Sequence, residues 1–526
     1  MPKVLVSDKL AKEGIDILKQ VADVDVNTGL SEDELCKIIG EYDGLVIRSG
    51  TTVTAKILES AKKLKIIGRA GVGVDNVDVP VATEKGVIVV NSPGGNTIAA
   101  AELTVAMLLA LSRNIPQAYC SMSGKEWNRS KYVGNEVYKK TLGILGLGKI
   151  GQEVAKRCRS FGMQVIAYDP FISAEAAESL GAELVELNDC LKRSDYITLH
   201  LPKNKDTLGM IGTKQFEMMK DGVRIINCAR GGIIDDAALA EALKSGKCSG
   251  AALDVYVSEP PDFSNELFSM PNVVTTPHLG ASTKEAQTNV AIDVAEQIVD
   301  VFQGRSARSA VNMPALSAEV LAAVAPFLPL AEKMASLVSQ TVEGRPSQIT
   351  IKYGGEIASY EVGPVTRSVL VGLLRPAMGE GVNSVNAPLM AKTRGLDVVE
   401  SKSPEGGDYS SLLTISIKTD KGEYDVSGTL FGAKDMRVVK MGGYPMDLIP
   451  EGHVLVSMHT DKPGVIGNVG TVLGNEGINI ASMFVGRKTA GQTAIMVLNV
   501  DSEIPASVLE KIMKIEGIET AKQVTL

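Results

Sequence analysis

The stretch Gly146-Leu147-Gly148-Lys149-Ile150-Gly151 decides the fold, through the segments that it joins. An apolar run, Thr141–Leu145, precedes it, and a helical pattern follows it through Phe161. The next predicted strand, Gln164–Tyr168, ends at Asp169, which lies 18 residues beyond the last glycine. A glycine-rich turn between a strand and a helix, with a carboxylate at the end of the second strand, is typical of a dinucleotide-binding unit.

The cofactor that this turn would hold explains the residue types. The glycines allow a tight turn and let a pyrophosphate approach the helix N-terminus. Asp169 can accept hydrogen bonds from the adenine ribose and would repel a 2'-phosphate, so we expect NAD rather than NADP. The alternative is a helix-start turn that binds no ligand. Two further stretches, Gly71-Val72-Gly73 and Gly464–Gly470, lack this context, and we interpret them as tight turns or anion-facing backbone.

Short apolar runs alternate with helical patterns on both sides of the turn, which favours two parallel sheets covered by helices. The predicted strands before the turn are Val4–Ser7, Gly44–Ile47, Lys65–Gly68 and Val87–Val90, with helices at Ser31–Ile39 and Thr54–Ala61. The later strands are Thr141–Gly146, Gln164–Tyr168, Tyr196–His200, Val223–Asn227, Gly250–Asp254 and Val273–Thr275. Two long predicted helices, Asn96–Cys120 and Ser282–Gln303, join these α/β domains and leave a cleft between them.

The composition changes from about Val311. A predicted helix, Val320–Val342, and three predicted strands, Ile349–Tyr353, Leu412–Ile417 and Tyr424–Leu430, indicate an α+β domain, with Glu400–Asp408 as a surface loop. The last segment, His453–Leu526, has the pattern strand, helix, strand, strand, helix, strand. The predicted fold class is therefore two α/β domains followed by an α+β domain and a βαββαβ domain.

Bulk properties exclude several classes of protein. A chain of 526 residues is too long for one hydrophobic core, and a net charge of −8 offers no basic stripe for nucleic acid. The N-terminus lacks the build of a signal peptide, and no apolar run reaches membrane-spanning length. The six cysteines are scattered without a CxxC pair, which fits reduced thiols. We expect a cytoplasmic protein with no metal site and no membrane or nucleic-acid partner.

Three short motifs place reactive side chains at or just after predicted strands. They are Asn227-Cys228-Ala229-Arg230-Gly231-Gly232, Asp254-Val255-Tyr256-Val257-Ser258-Glu259-Pro260 and Pro277-His278-Leu279-Gly280-Ala281-Ser282-Thr283. Ligands of open parallel sheets bind outside the carboxyl ends of the strands, so all three motifs point to the crevice that the glycine-rich turn faces.

Arg230, Glu259 and His278 suit the oxidation of a 2-hydroxy acid, which removes a hydride from C2 and a proton from the hydroxyl. A histidine ordinarily titrates near neutral pH and can take that proton. Glu259 can bond the other ring nitrogen, and Arg230 can hold a carboxylate in its guanidinium fork. Taken singly, each residue has a structural explanation: Arg230 as a surface cation, Glu259 as a helix or turn cap, and His278 as a structural histidine. The occurrence of all three in this order along the chain favours catalysis. His200 is expected to pack near the cofactor.

These motifs resemble the D-isomer-specific 2-hydroxyacid dehydrogenases, and the resemblance covers residues 1–312. It runs through Gly146–Gly151, Leu199–Pro202, Cys228–Gly232, Glu259-Pro260 and His278–Thr283. It implies that Arg230, Glu259 and His278 are catalytic and that NAD is the cofactor. The implied cofactor contacts are Gly146, Gly148, Lys149, Ile150, Gly151, Asp169, Thr207, Cys228, Ala229, Arg230, Asp254, His278, Leu279, Gly280 and Ala281.

The C-terminal half resembles the long form of that family. Gly428–Gly432, with Arg437, Lys440 and Gly442-Gly443, is similar to its intervening domain, and Asp461–Gly467 with Gly477–Ile480 is similar to an ACT domain. The resemblance implies oxidation of D-3-phosphoglycerate to 3-phosphohydroxypyruvate, the first step of the phosphorylated route to serine. The implied domains are residues 1–96 with 284–311 for substrate, 97–283 for NAD, 312–450 for the intervening domain and 452–526 for the ACT domain. Val72 departs from the family, some members of which carry a hydroxyl residue there.

A phosphorylated substrate needs cations in addition to Arg230. Arg48 and Arg69 follow predicted strands of the first domain and are expected to face the cleft, where Gly71 and Gly73 offer backbone N–H groups to an anion. His278 completes the predicted substrate site. Arg129 and Lys131 are candidates to reach it from a neighbouring subunit of a homo-oligomer, a dimer or a tetramer.

The ACT resemblance implies regulation by serine, with His459, Asp461 and Asn479 as candidate ligands. The alternative is a domain that only joins subunits. Feedback inhibition predicts that deletion of His453–Leu526 leaves turnover intact and abolishes the effect of serine. Arg437 and Lys440 leave open whether the intervening domain binds an anion or acts as a spacer.

Two other functions stay open from the sequence. One is a dehydrogenase for glyoxylate, hydroxypyruvate or another 2-hydroxy acid, against which the two C-terminal domains count. The other is a non-catalytic sensor that binds NAD and an amino acid, against which the intact set of Arg230, Glu259 and His278 counts.

Overall fold

The computed structural model describes residues 1–314, 318–432, 434–489 and 491–526. Its first strands and helices are β1 Lys3–Val6, α1 Lys12–Leu18, β2 Asp23–Val26, α2 Glu32–Ile38, β3 Gly44–Ile47, α3 Ala55–Ser60, β4 Ile66–Arg69, α4 Val79–Glu84 and β5 Ile88–Asn91. The strands form a parallel sheet in the order β2-β1-β3-β4-β5. All four residues of β3 are buried, because helices cover both faces of the sheet.

Four strands of this first sheet are confirmed to within one residue, and β2 was not predicted. It is an edge strand in which Asp23 and Asp25 alternate with valines, so it lacks the continuous apolar run of a strand buried on both faces. The predicted helix that follows Ser31 is confirmed. The Ser31 hydroxyl accepts a hydrogen bond from the Glu34 backbone, and the Glu34 carboxylate accepts one from the backbone N–H of Ser31, which fixes the start of α2.

The second sheet is parallel and has seven strands. The elements are α5 Thr97–Ser112, α6 Ile115–Ser123, β6 Thr141–Leu145, α7 Lys149–Ser160, β7 Gln164–Tyr168, α8 Ala174–Ser179, β8 Glu183–Leu184, α9 Leu187–Arg193, β9 Tyr196–Leu199, α10 Thr213–Met218, β10 Val223–Asn227, α11 Asp236–Lys244, β11 Cys248–Leu253, β12 Val273–Thr275 and α12 Lys284–Phe302. The strand order is β12-β11-β10-β9-β6-β7-β8. The order reverses between β6 and β9, where ligands of such sheets bind. The six predicted strands are confirmed, and only the two-residue edge strand β8 was missed.

The predicted single helix Asn96–Cys120 is wrong, because the chain breaks between α5 and α6. Asn114 adopts a left-handed φ of +52°, and Pro116 then opens α6, so the two helices meet at 66°. No single helix of the described ranges is long and apolar enough to cross a membrane; α5 and α6 satisfy such a test only jointly, despite their bend.

The helix α12 returns the chain to the first sheet, where its packing requires small residues. A side chain at Gly68 would lie 2.4 Å from Cγ1 of Val294, and one at Gly14 would lie 2.7 Å from the Ala291 carbonyl oxygen. This close packing ties α12 to β4 and α1. The carboxyl ends of the first two sheets face a shared cleft, since Asp75, in the loop after β4, is ion-paired with Arg230, just after β10.

The third sheet has six strands, and all neighbours are antiparallel except β13 and β14. The elements are α13 Ala318–Val324, α14 Phe327–Thr341, β13 Pro346–Gly355, α15 Gly363–Met378, α16 Ala387–Thr393, β14 Asp397–Ser403, β15 Ser411–Thr419, β16 Glu423–Phe431, β17 Asp435–Met441 and β18 Tyr444–Leu448. Two predictions are corrected here. The helix Val320–Val342 is interrupted at Pro326, and the first four residues of the predicted loop Glu400–Asp408 belong to β14, an exposed edge strand whose charges face water.

The fourth sheet confirms the predicted βαββαβ pattern. Its elements are β19 His453–Thr460, α17 Val465–Asn475, β20 Ile480–Arg487, β21 Thr493–Val500, α18 Ala506–Met513 and β22 Ile518–Thr525, in the antiparallel order β20-β21-β19-β22. One face packs against α17 and α18. On the other face, Val454, Val456 and Val524 share an apolar core with Met334 and Val338 of α14. The third and fourth sheets are therefore joined by a common core.

Candidate functional site

The loops that follow β4 and β10 meet across the cleft between the first two sheets. Nε of Arg230 lies 3.1 Å from Oδ2 of Asp75, which belongs to the loop after β4. A side chain at Gly73 in the same loop would lie 2.0 Å from Nη2 of Arg230. Arg230, which follows β10, therefore reaches across the cleft to the loop after β4, and its predicted role in substrate binding stays a prediction.

His278 and Glu259 form a hydrogen-bonded pair beside this cleft. Nδ1 of His278 lies 2.6 Å from Oε2 of Glu259, and Oε1 of Glu259 accepts a hydrogen bond of 3.2 Å from the backbone N–H of Tyr256. Burial raises the pKa of Glu259, but the hydrogen bond and charge of His278 outweigh it, so the pKa lies below its ordinary value. Because Nδ1 is occupied, Nε2 is the nitrogen left to exchange a proton with a ligand.

The buried carboxylate of Asp254 holds the backbone that presents His278. Oδ1 accepts hydrogen bonds from the Thr276 hydroxyl (2.6 Å) and the Leu279 N–H (2.7 Å), and Oδ2 accepts one from the Gly280 N–H (2.9 Å). Burial raises the pKa of Asp254, although these hydrogen bonds act in the opposite direction. His278 itself has a φ of +53°, which a non-glycine residue keeps only where its surroundings hold it. Asp254 thus orders the turn; its predicted cofactor contact stays a prediction.

Asn227, which the sequence analysis did not single out as a site residue, braces the turn that carries Arg230. Its Oδ1 accepts a hydrogen bond of 3.0 Å from the Ala229 N–H, and its Nδ2 donates one of 2.9 Å to the Arg230 carbonyl. The side chain is buried, at 2 % exposure. The signal was present in the sequence as the last residue of a buried strand before the motif, but a polar residue there is equally typical of an ordinary turn.

Three guanidiniums approach one another in the cleft. Burial lowers the pKa of Arg69 to about 10, and the charge of Arg230 and, more weakly, that of Arg48 act in the same direction. Nε of Arg69 is buried and has no hydrogen-bond partner among the described residues. Arg48 lies nearer the surface, where its Nη1 is 3.4 Å from the Lys9 carbonyl. A cluster of repelling cations with an unsatisfied N–H is suited to a multivalent anion.

Gly71 and Gly73 leave room for this cluster. Gly71 has a φ of +156°, and a side chain there would lie 1.6 Å from Nη1 of Arg69. At both positions the space beside the backbone is occupied by a guanidinium, that of Arg69 or of Arg230. The two glycines were predicted as N–H donors to an anion, and the structure gives them this additional steric reason.

The glycine-rich turn fits a dinucleotide. Gly146 has a φ of +96°, and a side chain at Gly151 would lie 2.2 Å from the Gly146 carbonyl oxygen, so strand and helix are closely packed. The space beside Gly148 is open, and no side chain caps the start of α7, which leaves its first N–H groups to a phosphate. The Asp169 carboxylate accepts hydrogen bonds from the N–H groups of Leu147 (2.8 Å) and Phe171 (2.9 Å), so it joins the turn to the end of β7.

The other predicted cofactor contacts surround this turn or the loop of His278. Lys149 and Ile150 open α7, and Leu279 to Ala281 follow His278. The Thr207 hydroxyl donates to the Pro202 carbonyl at 2.6 Å and shapes the loop after β9. Burial raises the pKa of the Cys228 thiol to about 12, so this side chain stays protonated and packs against Met107. These contacts stay predictions.

His200 lies under the glycine-rich turn, as its predicted packing role requires. A side chain at Gly146 would lie 2.5 Å from the His200 carbonyl oxygen. The ring nitrogen Nε2 of His200 lies 3.1 Å from the Thr198 hydroxyl. Burial lowers the pKa of His200 to about 4, so the ring is neutral at neutral pH.

Arg129 and Lys131 lie on an exposed segment between α6 and β6, in a short 3-10 helix, Arg129–Tyr132. The ammonium of Lys131 lies 5.7 Å from the centre of the Tyr132 ring. Nothing in the described part of this chain connects them to the cleft, so their predicted role across a subunit boundary stays a prediction.

The predicted effector residues lie at opposite ends of the fourth sheet, with His459 and Asp461 at the end of β19 and Asn479 just before β20. On β21, which lies between these two strands, His459 pairs with Ala494, whereas Ile480 pairs with Val500 at the other end. Nδ1 of His459 is buried and has no hydrogen-bond partner among the described residues, and burial lowers the pKa of this histidine despite the nearby charge of Asp461. Asp461 accepts a hydrogen bond of 3.0 Å from Arg487, and Asn479 donates one of 2.8 Å to Asp501. No hydrogen bond within the described ranges joins the three to one another.

No group of three or more His, Cys, Asp or Glu side chains in the described ranges is arranged to hold a metal ion.

Comparison with known proteins gives the family context of this geometry. Residues 105–280 match the NAD binding domain of D-isomer specific 2-hydroxyacid dehydrogenases, 323–442 match the D-3-phosphoglycerate dehydrogenase intervening domain, and 453–517 match the ACT domain. D-3-phosphoglycerate dehydrogenase of Synechocystis sp. is 49 % identical over 100 % of this chain and 95 % of its own length. The enzyme of the same name from Methanocaldococcus jannaschii is 47 % identical over 100 % of both chains.

A solved structure adds a neighbour with bound cofactor. The NAD-dependent formate dehydrogenase from Staphylococcus aureus in complex with NAD is 28 % identical, with a TM-score of 0.52. The match covers 58 % of this chain and 96 % of that chain.

Proposed function

Because this chain belongs to the family of D-3-phosphoglycerate dehydrogenases, we propose that it oxidises D-3-phosphoglycerate to 3-phosphohydroxypyruvate with NAD. This reaction is the first step of the phosphorylated route to serine. The observation that carries the proposal is the His278–Glu259 pair, which lies beside a cluster of three arginines. A proton acceptor next to a multivalent anion site matches a phosphorylated 2-hydroxy acid.

His278 accepts the proton of the C2 hydroxyl on Nε2, since Nδ1 is bonded to Glu259. The carboxylate of Glu259, ionised at neutral pH, stabilises the positive charge that forms on the ring. When bound, NAD⁺ supplies the acceptor for the hydride that leaves C2.

Arg230 positions the substrate through its carboxylate. Its Nη1 donates to the Ala229 carbonyl at 2.7 Å, and its Nε is paired with Asp75, so Nη2 is the donor without a partner among the described residues. Asp75 is 63 % exposed, and its ion pair with Arg230 is a weak one that an incoming carboxylate can displace. Once Asp75 is displaced, Nε and Nη2 form a free edge of the guanidinium that matches the geometry of a carboxylate.

Arg69 and Arg48 bind the phosphate in this proposal, with the backbone of Gly71 and Gly73 beside them. We expect Arg69 to contribute more to phosphate binding than Arg48, because Arg69 has an unsatisfied buried N–H and Arg48 is nearer the surface. For the cofactor, the open space at Gly148 accommodates the pyrophosphate, and Asp169 favours NAD over NADP. The domain bounds given above stay part of the proposal.

A panel of acids tests the function. NADH formation is measured with D-3-phosphoglycerate, D-glycerate and D-lactate, and NADH consumption with glyoxylate and hydroxypyruvate. We expect the highest kcat/KM with D-3-phosphoglycerate. Faster turnover of an unphosphorylated acid would indicate a dehydrogenase for glyoxylate, hydroxypyruvate or another 2-hydroxy acid. No turnover of any acid would favour a non-catalytic sensor that binds NAD and an amino acid.

We also propose a homo-oligomer in the cytoplasm. The segment between α5 and β6 exposes Tyr119, Trp127 and Val133 at 71 %, 76 % and 78 %, and a second copy would cover such a surface. Arg129 and Lys131 lie in this segment and would approach the neighbouring subunit. All six cysteines are free, which suits a reducing compartment. Sedimentation equilibrium of the wild-type chain tests the assembly, and a monomer at micromolar concentration would contradict it.

For regulation, we propose that serine binds between His459 and Asp461 of one copy and Asn479 of a second copy and inhibits the enzyme, because within one chain these residues lie at opposite ends of the sheet. The support is the ACT match and the unpartnered, buried Nδ1 of His459. Asp461 and Asn479 have partners in this structure, Arg487 and Asp501, which serine would have to replace or share.

A further inference from the structure

A cavity of about 520 Å³ lies outside the cleft, between α15, α16 and β14. Its apolar wall comes from Leu370, Pro388, Leu396 and Val398, with Pro314. This volume is within the range of small-molecule sites, roughly 300–1,000 Å³. Neither the residues of the cleft nor the predicted effector residues of the fourth sheet line it.

Arg367 of α15 lines this cavity with a charge that is not neutralised. The residue is half-buried, and its Nη1 donates a hydrogen bond of 2.7 Å to the Ser384 carbonyl. It forms no ion pair with a carboxylate in the described ranges, and burial lowers its pKa without a neighbouring carboxylate to offset the effect. A partly buried guanidinium without a counter-ion is costly, so an anion bound beside it would be stabilised.

Two exposed carboxylates, those of Asp397 and Glu400, also line the cavity, and each accepts a hydrogen bond from a neutral group. The Glu400 carboxylate accepts a hydrogen bond from the Thr366 hydroxyl, and Asp397 accepts one of 2.6 Å from Nε2 of Gln348. The ammonium of Lys392 is also exposed and has neither an ion pair nor a hydrogen bond within the described part of the chain. Arg367 is therefore the one partly buried charge among the described residues that line this cavity, and no carboxylate there offsets the effect of its burial.

We propose that this cavity binds an amphipathic carboxylate. The anionic head lies on Arg367 and Lys392, and the apolar body lies against Leu370, Leu396 and Val398. An inorganic anion would leave that apolar wall uncovered, and a neutral apolar molecule would leave the Arg367 charge unpaired. The ligand thus differs in class from both the substrate and serine.

Calorimetric titration of the full chain tests the proposal with three probes: 4-phenylbutyrate, the matched alcohol 4-phenyl-1-butanol and inorganic phosphate. Arg367→Met keeps the length of the side chain without its charge, and Lys392→Met tests the second cation. Arg394→Met is the control, because this exposed arginine at the end of α16 does not line the cavity.

We expect 4-phenylbutyrate to bind the wild type and the Arg394 variant equally. Loss of a charge-assisted hydrogen bond should weaken binding about ten-fold or more in the Arg367 variant, with a smaller loss in the Lys392 variant. The alcohol and phosphate should each bind at least about ten-fold more weakly.

Three results would overturn the proposal: no binding of 4-phenylbutyrate, equal binding of phosphate or of the alcohol, or binding that survives the Arg367 substitution. The last result would place the probe elsewhere, for example in the cleft. The readout does not depend on turnover, so it stands apart from the proposed function. If Arg367→Met does not fold, the Lys392 variant decides, and unchanged binding there contradicts the proposal.

Discussion

Arg69 is the residue of the cleft whose surroundings are best suited to an anion. Arg230 and Arg48 repel its charge, Asp75 and Asp8 attract it, and its buried Nε lacks a partner among the described residues. A bound dianion would reduce the repulsion and accept a hydrogen bond from the unsatisfied donor.

Arg69→Met should therefore separate phosphate binding from the chemistry. We expect kcat/KM for D-3-phosphoglycerate to fall about 10–100-fold, while that for D-glycerate stays nearly unchanged. The free energy of unfolding should not decrease, since the substitution removes a buried N–H without a partner among the described residues and the cost of burying its charge. Arg394→Met, an exposed arginine outside the cleft, serves as the control. Equal losses with both substrates would argue against a phosphate contact.

His200 should make stability depend on pH in a predictable direction. Its pKa is about 4 in the fold, below the ordinary value of 6.5, so the unfolded chain binds more protons between these values. The stability that the neutral ring contributes is complete above pH 6.5 and is lost as the pH falls toward 4. At pH 5 the loss amounts to about 2 kcal/mol.

Urea unfolding of the wild type and His200→Gln at pH 7 and pH 5 measures this effect. The wild type should lose about 2 kcal/mol more than the variant over this interval. Parallel losses in the two proteins would show that His200 is not buried as a neutral ring.

The sequence predicted reactive roles for Arg230, Glu259 and His278 because the oxidation of a 2-hydroxy acid limits the choice of side chain, and the structure pairs His278 with Glu259. It did not identify Asn227 or the ion pair of Asp75 with Arg230. Both depend on distances between segments far apart in the chain, and an asparagine or aspartate in a loop has many ordinary roles. The roles of all these residues stay predictions until variants are measured.

At the scale of elements, the turn after β10 depends on Asn227 for its shape. Asn227→Ala should lower kcat/KM, because the turn that carries Arg230 loses the two hydrogen bonds of the Asn227 side chain. The Asn227 side chain bonds to this turn, so the effect would act through the position of Arg230. It should also lower the free energy of unfolding by about 1–3 kcal/mol, the cost of unsatisfied buried backbone groups.

A matched asparagine separates these two effects. Asn312 braces β5 in a similar way, since it accepts a hydrogen bond of 3.0 Å from the Val89 N–H and donates one of 2.9 Å to the Val87 carbonyl. Asn312→Ala should lower stability comparably and leave kcat/KM unchanged at a temperature where both variants are folded. Equal catalytic losses in the two variants would indicate a general loss of structure.

Elements with a strong local pattern were predicted well, and the others were missed for identifiable reasons. Buried parallel strands such as β3 are continuous apolar runs, which the sequence displays directly. Edge strands such as β2 and β14 carry charges, because one side of each faces water. The break between α5 and α6 depends on the left-handed Asn114, and apolar periodicity continues across it.

At the scale of the whole molecule, the shared core of the third and fourth sheets changes how regulation is tested. Deletion of His453–Leu526 would expose Met334 and Val338, which pack against valines of the fourth sheet. Loss of activity in that truncation would then reflect damage to the fold. A point substitution at an exposed position avoids this difficulty.

Asn479→Ala should abolish inhibition by serine and leave turnover without serine unchanged. His453→Ala is the control, because His453 lies on the same sheet and contacts Thr525 rather than the predicted effector site. Initial rates over a serine titration measure both. If the Asn479 variant is still inhibited by serine, Asn479 is not part of the serine site. If serine does not inhibit the wild type, the proposed regulation is contradicted.

Segments of the third sheet's domain contact the first domain. Asn383 donates a hydrogen bond of 3.0 Å to the Gly86 carbonyl, and α16 begins four residues later, at Ala387. Gly86 follows α4, which itself follows the loop that carries Gly71, Gly73 and Asp75. The N-terminal end of α16 therefore contacts the domain that carries the predicted phosphate site.

Catalysis by His278 is tested most directly by the rate of NADH formation from D-3-phosphoglycerate, measured side by side for the wild type and His278→Asn with saturating NAD. We expect rapid turnover by the wild type and a kcat about 10²–10⁴-fold lower in the variant, because general base catalysis contributes about that much. Equal rates in the two proteins, or a wild type that forms no NADH, would contradict a role of this histidine and its glutamate partner in the oxidation.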